Sequence, residues 1–229
     1  MVLLNSLLQV ISGQLVLLSY ERSMGDNMNR VKSIVQVTSA LLIMMGIIHA
    51  TMVIKKVAPN FPAEILQSGA YVLMVLGTLA FIALSKISLR DVGLFCGHFV
   101  RQLIVGGVIG GIFLTACGAF TGWRFFTNGW SLYVVLSQLL VAFAEELFFR
   151  GYLLEMMKVV ARTSERAVII SAFLFGIWHY PISHNTGLVI ITFFLGAIYG
   201  TLRTLFEKTD KEIGIVSLSI AHWLFNVVL

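Results

Sequence analysis

The sequence predicts an all-α, polytopic integral membrane protein of about eight transmembrane helices. Three observations carry that prediction. Of the 229 residues, 58% are hydrophobic and only 12% are charged, whereas charged residues make up about a quarter of an ordinary soluble domain. The mean hydropathy is +0.92. Apolar runs of about 17 to 24 residues recur between short polar stretches, which is the length a helix needs to cross a hydrocarbon core of roughly 30 Å.

Taken in order, the expected spans are 2–20, 32–54, 65–84, 98–120, 131–153, 165–180, 187–205 and 213–229. Asn5, Ser6, Gln9, Ser12 and Gln14 dilute the first, and the amino terminus lacks the positive n-region and cleavage site of a secretory signal, so it reads as a retained span. Pro59, Pro62 and Pro181 fall at expected helix ends. Residues 1–229 read as one integral membrane domain, with 1–130 as scaffold helices and 131–229 carrying the motifs described below.

Lysine and arginine set the expected orientation, because they accumulate in cytoplasmic connections. The odd-numbered connections hold Arg22, Arg30, Lys32, Lys86, Arg90, Arg101, Lys158, Arg162, Arg166, Arg203, Lys208 and Lys211; the even-numbered ones hold only Lys55, Lys56 and Arg124. Twelve against three puts both termini outside the cytoplasm. The net charge of +5 and pI near 9.4 follow from this asymmetry. The basic residues are expected to face anionic membrane lipids, and no nucleic acid partner is implied.

Gly106/Gly110, Gly107/Gly111 and Gly196/Gly200 repeat at the four-residue spacing that lets membrane helices approach closely. Cys96 and Cys117 have no paired spacing of a metal or redox motif. His49 and His98 read as structural or interfacial, His184 and Asn185 as loop residues. Trp123 and Trp130 suit an interfacial belt; Trp178 and Trp223 are expected to line a cavity.

Chemistry concentrates in the second half. Of eleven acidic residues, only Glu145 and Glu146 sit well inside a span, where an uncompensated charge costs several kcal/mol and is by default functional. Glu146 and Arg150 are four apart on one helix face and can form a buried ion pair. Glu145 lies about 100° from Glu146 and about 140° from Arg150, which leaves it the freer carboxylate. Phe175 and His179 share a face of a later span, as do His222 and Asn226 on the last one.

The ordered set Glu145-Glu146-x-x-x-Arg150, Phe175-x-x-x-His179 and His222-x-x-x-Asn226 resembles the three motifs of the CAAX-protease and bacteriocin-processing family, the Abi-type intramembrane endopeptidases. Arg150-Gly151-x-Leu153 extends the likeness, which covers about 131–229. The resemblance implies helices around an intramembrane catalytic cavity open to the cytoplasm. In it Glu145 would activate a water, His179 would help position that water, and His222 and Asn226 would stabilise the oxyanion. Glu146, Arg150 and Phe175 would support them. The implied substrate is a prenylated CAAX C-terminus, or a bacteriocin or signalling peptide or its leader, cut near the cytoplasmic face. The implied location is the plasma membrane of a prokaryote or the endoplasmic reticulum of a eukaryote.

Other readings stay open. Glu145, His179 and His222 are the His₂Glu set of catalytic zinc sites, although the H-E-x-x-H helix motif is absent; the metal-free reading is preferred. A non-catalytic partner or bacteriocin-immunity protein could use the same fold. A proton-coupled transporter would call for symmetry between the two halves, whereas the polar groups are confined to one.

Overall fold

The computed structural model describes residues 2–95, 97–121, 131–207, 209 and 212–228, with side chains described from residue 25 onward except at 117, 118, 120, 121, 182, 227 and 228. The described residues are helical apart from short connections. The helices are α1 (Val2–Val57), α2 (Ala63–Leu84), α3 (Phe99–Thr121), α4 (Leu132–Glu146), α5 (Leu154–Ala161), α6 (Ser164–Ser183), α7 (Thr186–Leu205) and α8 (Ile215–Val228). A π-helical segment, Leu147–Leu153, joins α4 to α5 without a break, so the described residues form seven continuous helices.

That count corrects the expected eight spans. The first two were to run antiparallel with a turn between residues 20 and 32, but the chain stays helical throughout α1. At 1.5 Å per residue its 56 residues extend about 84 Å, far more than one crossing needs. Among the described residues, five segments are long and apolar enough to span a membrane: Gly25–Val57, Ala63–Leu84, Phe99–Ala116, Leu132–Ala161 and Thr186–Leu205; Ile215–Asn226 is a shorter apolar helix. An unturned α1 also carries its two ends to opposite ends of the bundle, so the expectation of both termini on one side loses its N-terminal half.

Local chemistry sets the helix ends. Ser131, Thr163 and Asn185 each accept a backbone N–H as N-caps of α4, α6 and α7, satisfying donors that a first turn leaves orphaned. Arg162 and His184 close α5 and α6 in the left-handed conformation. His184 and Asn185 are thus connection residues, as expected, and Pro181 lies in the last turn of α6.

The connections sort to two ends. At one, Arg30 donates to the Val160 carbonyl at 3.1 Å, Lys158 bridges Glu155 and Glu207 at 2.7 Å each, and Arg203 reaches the Asp91 carbonyl at 2.7 Å. At the other, Lys55 caps the α1–α2 turn through the carbonyls of Pro59 and Phe61. The basic connections therefore gather at one end of the bundle. Arg203 does not sit there as a solvated charge, however: it is fully buried and paired with Glu212 at 2.9 Å. Gln102 donates to the Glu212 carbonyl at 2.8 Å and accepts from Gly214 N–H at 2.9 Å, which ties α3 to the entry of α8.

Small residues set the helix approaches, with one exception. A Cβ on Gly106 would lie 2.5 Å from the Ser217 carbonyl, and one on Gly110 would lie 2.7 Å from Leu224, so α3 and α8 touch through these positions. Gly196 and Gly200 likewise admit Ala172 and Val168 of α6. Gly107 and Gly111 face open space; that expected pair is not a packing face. Large apolar side chains such as Leu73, Ile104, Ile112 and Phe194 are more than half exposed, an outward face suited to hydrocarbon.

Candidate active site

The polar site begins where α4 ends. Glu145 and Glu146 are its last two residues, and the π segment starts at Leu147. All seven π residues are buried. Insertions of this kind are rare and recur at functional sites. Here the segment directs Phe148 and Phe149 into an aromatic cluster with Trp178 and Phe175, while Ser171 donates to the Phe149 carbonyl at 2.9 Å.

Glu146 is fully buried, and its Oε1 faces two cationic or donor groups at once. Arg150 Nη1 lies 3.0 Å away, as the spacing predicts. His222 Nδ1, from α8, donates to the same oxygen at 2.8 Å, which the sequence reading did not foresee. The Arg150 guanidinium also stacks over the Phe175 ring, 4.0 Å from its centroid, a cation–π contact in a dry setting. Phe175 in turn meets His179 and His222 edge-on, at centroid separations of 4.7 and 5.9 Å.

Glu145 is 3% exposed and turns the other way. Its Oε1 accepts the Tyr71 hydroxyl of α2 at 3.2 Å, and its Oε2 stands 3.8 Å from His222 Nε2. The freer carboxylate of the sequence reading thus has a partner from the first half of the chain. His179 Nδ1–H donates to the Phe175 carbonyl at 2.8 Å, which fixes the ring and leaves Nε2 uncommitted.

A cavity of about 290 Å³ unites these groups: Glu145, Phe175, His179, His222 and Asn226 all line it. Tyr71, Gln67, Gln138, Thr192 and Tyr199 line it too, and sequence reasoning missed all five. Their signal was polarity inside apolar spans, since a buried tyrosine hydroxyl or amide must find a partner. Trp178 and Trp223 are not in the lining. Trp178 is 2% exposed inside the aromatic cluster, and Trp223 donates to the Val135 carbonyl at 2.9 Å. Trp123, Trp130 and Cys96, and the side chain of Cys117, lie outside the described residues.

The cavity has a closed and an open side. Glu146 and Arg150 bury its floor toward the end where the basic connections gather. Gln67, five residues into α2, is exposed, and Gln138, Leu188 and Asn226 are half-buried; all four lie on the halves of their helices toward the opposite end. The sequence reading combined a cytoplasmic basic end with a cavity open to the cytoplasm. The exposed and half-buried lining residues lie toward the end away from the basic connections.

Among the described residues, no three His, Cys, Asp or Glu side chains are grouped closely enough to hold one ion. Glu145, His179 and His222 as placed do not form the zinc set, and no step below is routed through a metal.

Buried carboxylates and imidazoles gathered around a cavity inside an apolar helical bundle define a class: an integral membrane protein with an intramembrane polar site. Residues 127–228 match the Rce1-like family, described as type II CAAX prenyl endopeptidase Rce1-like. The match covers all three motifs, so this stretch is similar to the CAAX-protease and bacteriocin-processing family. Comparison with curated proteins and with solved structures gives no match.

Proposed function

We propose that the protein is an intramembrane endopeptidase in which Glu145 activates the attacking water. One observation carries the reading: Glu145 Oε2 and His222 Nε2 stand 3.8 Å apart on a cavity wall shared with His179 and Asn226, so one water can touch both. Glu145 takes a proton from that water as its oxygen adds to the scissile carbonyl, and returns it to the leaving amine as the tetrahedral intermediate collapses. His179 positions the water through Nε2. Asn226 donates to the oxyanion through its amide. Nε2 of His222 does so as the imidazolium, with Glu146 and Glu145 as counter-charges at its two nitrogens. Glu146, Arg150 and Phe175 hold His222 and the π segment in place.

The substrate class is a prenylated CAAX C-terminus, or a bacteriocin or signalling peptide or its leader. The family match supports the first. The test is cleavage by the purified full-length protein of a labelled farnesyl-CAAX peptide and a labelled leader peptide. Wild type should cut at least one, Glu145→Gln should lose a hundredfold or more in kcat, and Asn226→Ala roughly a hundred- to thousandfold. Full activity in Glu145→Gln would end the proposal. Binding without cleavage by wild type would favour the non-catalytic alternative.

A further inference from the structure

The family match begins at residue 127, yet one polar group on the carboxylate of the proposed general base comes from outside it. Tyr71, on α2, is 7% exposed, and its hydroxyl donates to Glu145 Oε1 at 3.2 Å. Two turns away, α2 is tied to the start of α4 by a second tyrosine: Tyr133 donates to the Glu64 carbonyl at 2.6 Å and meets the Ser68 hydroxyl at 2.7 Å. α2 is thus registered against α4 independently of Tyr71. The Tyr71 ring also forms part of the wall between the Glu145 cavity and a larger one, of about 440 Å³, between α1 and α2. A phenyl ring would serve as that wall equally well; only the hydroxyl addresses the carboxylate.

We propose that Tyr71 is a positioning residue for the hydrolysis, holding Glu145 Oε1 so that Oε2 is presented to the water and to His222. The inference rests on the Glu145 reading above. A carboxylate on a flexible glutamate side chain can turn about its terminal torsion, which is broad and two-fold. The hydroxyl's 3.2 Å bond to one oxygen selects the orientation in which the other faces His222 Nε2 at 3.8 Å. Losing that bond misaligns the base without touching the surfaces that hold a peptide. The effect should therefore fall on kcat, because small displacements of a reacting group cost up to about a hundredfold in rate.

The experiment compares wild type, Tyr71→Phe, Tyr133→Phe and Glu145→Gln as purified full-length proteins on an internally quenched farnesyl-CAAX peptide, with melting temperature measured on each. Tyr71→Phe should lose roughly ten- to a hundredfold in kcat, with KM within about twofold and an unchanged melting temperature. Tyr133→Phe, which removes the structural tie, should keep its kcat. Wild-type kcat in Tyr71→Phe beside an inactive Glu145→Gln overturns the Tyr71 assignment alone. So does a defect confined to KM, or one that tracks a lowered melting temperature. Failure of wild type to cleave both this peptide and the leader peptide, or wild-type cleavage by Glu145→Gln, overturns the underlying reading and the assignment with it.

Discussion

Glu146 Oε1 accepts the Nδ1–H of His222 at 2.8 Å while Arg150 Nη1 stands 3.0 Å from the same oxygen. One carboxylate thus joins the π segment to α8 and fixes which nitrogen of His222 faces Glu145, the orienting role that carboxylates play for catalytic and metal-bound histidines. The two adjacent glutamates divide the work: Glu146 faces a buried cation and an imidazole, Glu145 faces the cavity.

Substitutions at the two positions should separate stability from activity. Glu146→Gln leaves Arg150, 1% exposed, without its counter-ion. Breaking a buried pair from one side costs about 3–5 kcal/mol, so thermal unfolding in detergent should show a clear drop together with loss of cleavage. Glu145→Gln removes no ion pair to a buried guanidinium and should melt close to wild type while losing cleavage. Equal melting temperatures for the two variants would contradict this division.

The packing of α7 against the site makes a second prediction. A Cβ at Gly196 would lie 3.1 Å from Ala172 Cα, 3.2 Å from Arg150 Nη2 and 3.2 Å from the Phe175 ring. Gly196→Ala should therefore push on the guanidinium and the ring beneath it. A loss of about 1–3 kcal/mol is expected from overpacking, with lowered cleavage. Gly107 has nothing within 4 Å, so Gly107→Ala should gain up to about 1 kcal/mol from helix propensity and cleave as wild type. Melting curves and cleavage rates on both check the contrast.

Much of this was legible in the sequence. Composition made the chain a helical membrane protein, and intramembrane charge singled out Glu145, Glu146 and Arg150. Four-residue spacing put His222 and Asn226 on one wall of the cavity, where both now lie. What escaped depends on geometry that hydropathy does not encode. A polar stretch around residues 20–32 looks like a turn whether the helix bends or continues, so α1 was divided in two. A π segment and an α-helix share one composition, and Arg203, counted as a surface charge, finds Glu212 only once α7 and α8 are placed. Tyr71 carries no charge and sits 74 residues before Glu145, where nothing in the pattern pointed to that carboxylate.

Chelation tests the role of metal. The proposed chemistry uses Glu145, His179, His222 and Asn226 without a metal, and among the described residues no three His, Cys, Asp or Glu side chains are grouped to hold one. Cleavage after exhaustive dialysis against EDTA should match the untreated protein within about twofold, and metal content by mass spectrometry should not track activity. Activity lost to the chelator and restored by zinc would replace the water-activating glutamate with a zinc-bound hydroxide.

The last prediction concerns the side from which substrate enters. Arg90 is exposed at the end where the basic connections gather, and Gln67 is exposed at the mouth of the cavity. Three turns or more of α2 separate Gln67 from Leu84 and the connection that leads to Arg90, so the two positions are expected on opposite membrane faces. With Cys96 and Cys117 replaced by serine, Gln67→Cys and Arg90→Cys should be labelled by a membrane-impermeant maleimide from opposite sides of sealed vesicles of known orientation. The basic-residue count places Arg90 in the cytoplasm, so Gln67→Cys should react from the outside, and a bulky maleimide there should obstruct cleavage. That outcome favours a substrate presented from the outer half of the bilayer, such as an exported signalling peptide, over a cytoplasmic lipidated tail. Labelling of Gln67→Cys from inside and Arg90→Cys from outside would reverse the orientation and restore the CAAX tail, because the cavity mouth and the basic connections stay on opposite faces in either case. Labelling of both from the same side would overturn the placement of the cavity mouth itself.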